Sequence, residues 1–149
     1  MRICVTRRML VATAARGDVE RYGRTGAEWD ALEAAGWEFL IGQARLSRTT
    51  SYTEMNKVLA CRTGIRDFDF DLDGERHAMG ELLGQLSERS FNQAQLLISV
   101  LVQYLNANDA GPGFYDLAMR KHLLRPRSSR NEKLTFWVQH VNAVCAYAW

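Results

Sequence analysis

Apolar positions recur at helical spacing through the first half of the chain. From Thr25 to about Leu46 they fall three or four residues apart, and Glu28 follows Thr25 at the distance of a capping box. This pattern predicts a helix from Thr25 to about Leu46. Its apolar stripe consists of Trp29, Leu32, Gly36, Phe39 and Leu40.

A second capping pattern follows directly. Ser51 and Glu54 have the same spacing, and a left-handed turn at Gly64 would end the helix that they open. The sequence therefore predicts a shorter helix between these positions, with its apolar stripe at Met55, Val58 and Leu59.

The next stretch alternates acidic and apolar residues with a period of two. This period is typical of a half-buried extended segment, and Asp73 at its end is suited to cap a helix. The stretch also resembles part of a calcium loop, but Gly80 stands where such a loop needs a bidentate Glu. We expect an extended segment with Phe68, Phe70 and Leu72 pointing inward.

Apolar spacing then predicts a helix from Gly74 to about Arg89. Gly80 and Gly84 lie four residues apart on it, which predicts the close approach of another backbone. The core face is expected to consist of Met79, Leu82, Leu83 and Leu86.

The apolar run after this helix has two interpretations. Its Ile, Val and Tyr content favours a buried strand from Leu96 to Leu105, whereas residues 91–105 could also form one helix. A turn from Asn106 to Gly113 follows. We then expect a short helix marked by Phe114, Leu117, Ala118 and Leu124, an exposed basic loop over residues 125–133, and a last helix with Trp137, Val141, Val144, Cys145 and Ala148 inward.

Together these elements predict a single α+β domain over residues 1–149, mostly helical. The small sheet would be built from Arg2–Val5, Phe68–Leu72 and Leu96–Leu105. We expect residues 1–24 to be a basic and flexible N-terminal stretch.

Composition and charge narrow the function classes. The chain of 149 residues is 47% apolar and 24% charged, as in soluble globular proteins. The net charge is only +2, but it is unevenly distributed: residues 1–24 hold six arginines against two acids, and residues 91–149 hold six basic residues against three acids. A chain polarised in this way can present a basic face to phosphates.

Three cysteines and the absence of a long apolar run bear on location. Cys4, Cys61 and Cys145 are odd in number and form no CxxC pair, so we expect buried free thiols in a reducing compartment. The longest apolar run, Leu96–Val102, is too short to span a bilayer. These features predict a cytoplasmic protein with no membrane partner.

No catalytic, metal or cofactor motif occurs in the chain. His77 and Glu81 share a helical face at the spacing of two metal ligands, but no third ligand is nearby in the sequence. GxSxG, P-loop and GxGxxG patterns are missing. We therefore expect no catalytic residues, no metal and no cofactor, and a protein that is not an enzyme.

Clustered basic residues are the main functional candidate. Six of them lie within fourteen positions, with Ser128 and Ser129 between the arginines, and both residue types suit phosphate contacts. The predicted nucleic-acid-binding residues are Arg120, Lys121, Arg125, Arg127, Arg130 and Lys133.

The stretch TTSYTEMNKVL, starting at Thr49, resembles a helix start in winged-helix DNA-binding domains of the alkyltransferase-like type. The resemblance covers about 60 residues and implies two helices, then a strand and a turn. The Pro-Cys-His-Arg active-site motif of alkyltransferases is absent, so their chemistry is not implied.

Two hypotheses about function follow. In the first, the protein binds DNA or RNA, or acts as a regulator, through the basic 120–133 segment and the arginine-rich N-terminus. In the second, it is a protein-interaction module, and a partner meets the acidic 67–75 edge or an exposed aromatic face.

Overall fold

The computed structural model of the protein describes residues 20–104 and 110–149, and α-helices dominate this part of the chain. The helices are α1 (Gly26–Arg45), α2 (Tyr52–Thr63), α3 (Asp73–Ala94), α4 (Pro112–Arg120) and α5 (Arg130–Ala146). A short parallel pairing joins β1 (Thr50–Ser51) to β2 (Val102–Gln103). The expected α+β class, mostly helical with a small sheet, is confirmed.

Local hydrogen bonds fix the starts of α1 and α2. Thr25 Oγ1 accepts from the Glu28 amide at 3.1 Å, and the Glu28 carboxylate accepts from the Thr25 amide at 3.0 Å. Ser51 Oγ accepts from the Glu54 amide at 3.0 Å, but the Glu54 carboxylate binds the Thr50 hydroxyl instead. The first capping box is therefore complete, whereas only half of the second forms.

The core lies where α1, α2 and α3 meet, and it buries the faces that helical spacing predicted. All five predicted core positions on α1 are buried, as are Met55 and Leu59 on α2 and all four on α3. Gly36 of α1 faces Leu86 so closely that a Cβ there would come within 2.9 Å of Leu86 Cδ1. This glycine is therefore a packing residue.

Two glycines of α1 are expected to respond differently to replacement by alanine. Gly42 has open space around it, so Gly42→Ala should raise the free energy of unfolding by about 0.4–1 kcal/mol through helix propensity. Gly36→Ala brings the same propensity but overpacks the core against Leu86 and Met55. Urea unfolding of both variants checks this: an equal gain at Gly36 would contradict the packing described here.

The predicted extended segment around Phe68 is not a strand. Phe68 is buried, Phe70 is half-buried and Leu72 is 56% exposed, so only one of the three apolar residues points fully inward. The Asn56 amide group donates to the Phe68 carbonyl and accepts from the Phe68 N–H, both at 2.8 Å. A side chain thus replaces the neighbouring strand. The expected Asp73 cap is also wrong, because α3 begins at Asp73 itself and Leu72 is its N-cap.

Neither interpretation of residues 91–105 is correct. Helix α3 continues to Ala94 and ends at Gln95, whose φ of 58° is left-handed. A 3-10 turn, Ile98–Leu101, follows and leads into β2. Residues 105–109, which include the first half of the predicted turn, and the predicted strand Arg2–Val5 lie outside the described residues.

Serine hydroxyls on α3 hold this 3-10 turn. Ser87 Oγ donates to Ser99 Oγ at 2.7 Å and accepts from the Ser99 amide at 3.0 Å. Ser90 Oγ donates to the Leu96 carbonyl and accepts from the Ile98 amide. Three of these contacts are buried and the Ser90–Leu96 contact is partly buried, so the backbone after α3 is bound by side chains rather than by a sheet.

A buried ion pair ties the residues before α1 to the start of α3. The Arg24 side chain is fully buried, and its guanidinium donates two hydrogen bonds to the Glu75 carboxylate, at 2.7 and 3.1 Å. Arg66 reaches the same carboxylate at 2.5 Å from a half-exposed position. The hydrogen bonds from Arg24 outweigh the effect of burial and, with Arg66, lower the pKa of Glu75 to about 2. Arg24 is therefore fixed in the protein interior, so the flexibility that we expected for residues 1–24 does not include Arg24.

Helix α5 docks on the turn after α3 through His140, which the sequence did not single out. His140 is buried, and its Nε2 accepts from the Leu97 amide at 2.8 Å. Burial lowers the pKa of His140 to about 4, so the ring is neutral near pH 7. Of the residues predicted to point inward on this helix, Val144 is buried, Trp137, Val141 and Cys145 are half-buried, and Ala148 is exposed.

The cysteines differ from the expectation of free thiols. Cys61 is disulfide-bonded, whereas Cys145 is a half-buried free thiol. Across residues 20–104 and 110–149, no helix has both the length and the apolar character needed to cross a membrane.

Candidate functional site

The predicted basic loop is only partly a loop. Residues 125–129 connect α4 to α5, but Arg130 to Lys133 form the first turn of α5. Ser129 is the N-cap, and its hydroxyl accepts from the Glu132 amide at 3.2 Å. Ser128 is buried and donates to the Arg125 carbonyl. The two serines that were expected to suit phosphate contacts therefore shape the backbone instead.

Three of the six predicted binding residues already have partners within the protein. Lys121 Nζ lies 2.7 Å from the Glu88 carboxylate on α3. Arg125 lies 2.7 Å from Glu132, and both of these side chains are largely exposed. Lys133 lies over the Tyr115 ring, 5.7 Å from its centroid. Part of the positive charge is thus neutralised locally.

The other three, Arg120, Arg127 and Arg130, are exposed and form no ion pair with any described residue. Arg127 has a left-handed backbone with φ of 58°, an uncommon conformation for a residue with a side chain. Arg130 is the first residue of α5, at the positive end of the helix dipole. Two cations thus lie where the helix favours negative charge. We call Arg125, Arg127 and Arg130, with the start of α5, the α5 basic surface.

A groove between α3 and α4 was not predicted. It encloses a cavity of about 530 Å³, within the size range of roughly 300–1,000 Å³ that is usual for ligand sites. Gly80 and Gly84 line it on the α3 side, and Phe114, Leu117 and Arg120 on the α4 side. A shallower depression continues it from Gly84 to Glu88, and Arg120 lines both.

The glycines in the groove correct an expectation. Gly80 and Gly84 were expected to admit another backbone, but an added Cβ at either would meet no heavy atom within 4 Å. The space next to both glycines is open instead. The four-residue spacing was visible in the sequence, whereas the space above it depends on how α4 is placed.

Polar groups of the groove are held in position. The Tyr22 hydroxyl donates to Glu81 Oε1 at 3.1 Å, and Arg21 reaches Glu81 Oε2 at 3.4 Å. Hydrogen bonding to Glu81 raises the pKa of Tyr22, so the phenol keeps its proton. His77, one turn before Glu81 on α3, is exposed and lines the same cavity.

Tyr52 lines the groove and packs its ring against that of Tyr104. The ring centroids of Tyr52 and Tyr104 are 5.0 Å apart, and burial raises the pKa of Tyr52 to about 12. Gly111, the N-cap of α4, allows this packing because a Cβ there would lie 2.6 Å from the Tyr52 hydroxyl. The Gly111–Phe114 turn therefore has a packing role.

The acidic 67–75 edge is largely satisfied within the protein. Asp69 Oδ1 accepts from the Asp71 amide, Asp73 pairs with Arg76, and Glu75 lies in the buried ion pair. Leu72 remains exposed on this edge. Within the described part of the chain, no group of three or more His, Cys, Asp or Glu side chains is placed to hold a metal ion.

Comparison with known proteins finds no match to a protein-family model, a curated protein or a solved structure. The winged-helix resemblance therefore stays a prediction. Helices α2 and α3 follow one another as it implies, and the strand after them is reduced to Val102–Gln103 among the described residues.

Proposed function

We propose that the protein is a non-enzymatic nucleic-acid-binding or regulatory protein, and that phosphates of DNA or RNA bind at the α5 basic surface. The cytoplasm is the location that we propose with this function.

One observation supports the proposal most. Arg127 and Arg130 are exposed, without an ion pair in the described structure, beside the N-terminus of a 17-residue helix. Cations at this end of a helix oppose its dipole, and a left-handed Arg127 adds a further conformational cost. A bound phosphate would offset the repulsion between these arginines and the helix dipole, because it would accept hydrogen bonds from the guanidinium groups and from free N–H groups at the start of α5.

The paired residues have a different part in the proposal. Lys121 and Arg125 are held by Glu88 and Glu132, which keeps their side chains extended over the surface. Arg120, Arg127 and Arg130 supply the unpaired charge. Phosphate contacts of this kind position a nucleic acid without reading its sequence.

Replacing Arg125, Arg127 and Arg130 together by Ala is expected to weaken nucleic-acid binding about equally for every sequence tested. The slope of log affinity against log salt should flatten by about two to three, at about 0.9 for each lost contact on duplex DNA. Fluorescence anisotropy with mixed-sequence DNA and RNA at several salt concentrations measures both effects. Stability should change by less than about 1 kcal/mol, since the only ion pair lost is an exposed one.

A matched control removes the same charge elsewhere. Arg48, Lys57 and Arg62 are exposed residues on or before α2, and their triple Ala variant should keep most of the affinity and the full salt slope. An equal loss of affinity in both triple variants would mean that binding depends on net charge and not on the α5 basic surface. If the parent protein binds neither DNA nor RNA at low salt, the proposed function is wrong.

The second candidate is a protein-interaction module, and the exposure of Leu72 favours it. This side chain was expected to point inward but is 56% exposed between acidic residues. An exposed leucine with a charged rim is a feature of protein interfaces. Binding to an apolar partner surface would change little with salt, so the same titrations separate the two functions.

A further inference from the structure

The groove between α3 and α4 has room that the fold itself does not use. Gly80 and Gly84 lie inside a 22-residue helix, where each glycine lowers helix stability relative to alanine. Neither has an atom within 4 Å of the position of an added Cβ, in contrast to Gly36, which packs against Leu86. Internal packing therefore does not require these two glycines, and they keep open a cavity of about 530 Å³.

The lining of the cavity suits a flat ring with polar edges. Leu83, Phe114 and Leu117 are buried apolar residues that offer surface to the face of a ring. Glu81 is an acceptor whose orientation is fixed by Tyr22 and Arg21, and His77 lies one turn away on the same helix. Nucleobases combine these needs, because they have apolar faces and an edge of donors and acceptors.

Arg120 supplies positive charge to the groove. It lines both parts of the groove, it is exposed, and it has no ion pair among the described residues. Lys121 follows it in the chain and is held toward α3 by Glu88, which borders the second part of the groove. The phosphate attached to a base in the groove can therefore pair with Arg120.

We infer that the groove between α3 and α4 holds an unstacked base of a single-stranded nucleic acid, with the adjoining phosphate at Arg120. The inference rests on the proposed function and adds the class of nucleic acid. In a duplex both faces of a base are stacked and its pairing edge is occupied, so a paired base does not enter such a groove. The Glu81 carboxylate can accept hydrogen bonds from the N–H groups of a base edge, whereas it repels a phosphate. The base is therefore placed beside Glu81 and the phosphate at Arg120.

Filling the groove tests this inference. Gly84→Leu puts a side chain into the cavity, and Gly42→Leu is the matched control, because Gly42 also lies within a helix with open space around it. Anisotropy titrations at one salt concentration compare a mixed-sequence single strand, a hairpin duplex of the same sequence and nucleoside monophosphates. Thermal unfolding of each variant confirms that it is folded.

We expect the parent protein and Gly42→Leu to bind the single strand at least about tenfold more tightly than the duplex, the scale of one stacked base. Gly84→Leu should lose this preference and keep its duplex affinity. Equal binding of strand and duplex by the parent, or an unchanged preference in Gly84→Leu, would overturn the inference while duplex binding upheld the proposed function. Monophosphates that bind as tightly as the strand would assign the groove to free nucleotides instead. Absence of all binding would remove both proposals.

Discussion

Glu75→Gln is expected to lower the free energy of unfolding by about 3–5 kcal/mol, the usual loss when one partner of a buried ion pair is removed. The Arg24 guanidinium would stay fully buried with its charge, and its remaining acceptors, the amide oxygen of the introduced Gln and the backbone carbonyls of Tyr22 and Asp67, would all be neutral. The Arg24 Nε already has no hydrogen-bond partner among residues 20–104 and 110–149, so this site has little capacity to compensate. Urea unfolding at pH 7 measures the loss.

Glu81→Gln is the control for this prediction. Glu81 also pairs with an arginine, but both side chains are nearly half exposed, so its loss should be below about 1 kcal/mol. A small effect at Glu75, similar to that at Glu81, would mean that water reaches Arg24 when the carboxylate is removed. The pair would then contribute little to stability.

Acid is expected to destabilise the protein by about 3 kcal/mol through His140 alone, as pH falls from 6.5 toward 4. The pKa of His140 is lowered by burial in the folded state, so the unfolded chain takes up the proton first. The contribution of the neutral ring is therefore complete above pH 6.5 and is lost as pH falls toward 4. Protonation would also remove the acceptor of the Leu97 amide.

Urea unfolding across this pH range checks the prediction, with His140→Gln as the comparison. The variant should show a smaller stability change between pH 6.5 and 4.5, because its side chain does not titrate. Glu75 acts in a separate window: its lowered pKa gives stability that is present above about pH 4.5 and is lost toward pH 2. A parent curve as flat as that of His140→Gln would contradict the role given to the buried ring.

Local signals predicted α1 and α2 well, because the groups that start a helix lie within four residues of each other. The Ser129–Glu132 pair carries the same signal for α5, and it was interpreted as part of a loop because the surrounding arginines suggested exposure. Non-local contacts set the limit elsewhere. Phe68 has a strand-like pattern, but its backbone partner is the Asn56 side chain twelve residues earlier.

The candidate site was predicted in composition but not in geometry. All six basic positions could be named from the sequence, whereas the pairing of Lys121 with Glu88 joins residues 33 positions apart and depends on how α3 and α4 pack. The groove also depends on how α3 and α4 pack. Its two glycines were visible, but nothing in the sequence distinguishes a glycine that admits a neighbour from one that leaves a space.

The serine contacts that hold the 3-10 turn imply an unequal constraint on the two serines among relatives of this chain. Ser87 Oγ accepts from the Ser99 amide and donates to Ser99 Oγ, so loss of Ser87 leaves a buried backbone N–H without its partner whatever side chain stands at position 99. Loss of the Ser99 hydroxyl alone leaves Ser87 with the amide contact. A relative that has lost Ser87 should therefore also differ in the backbone of this turn, whereas one that has lost Ser99 can keep it.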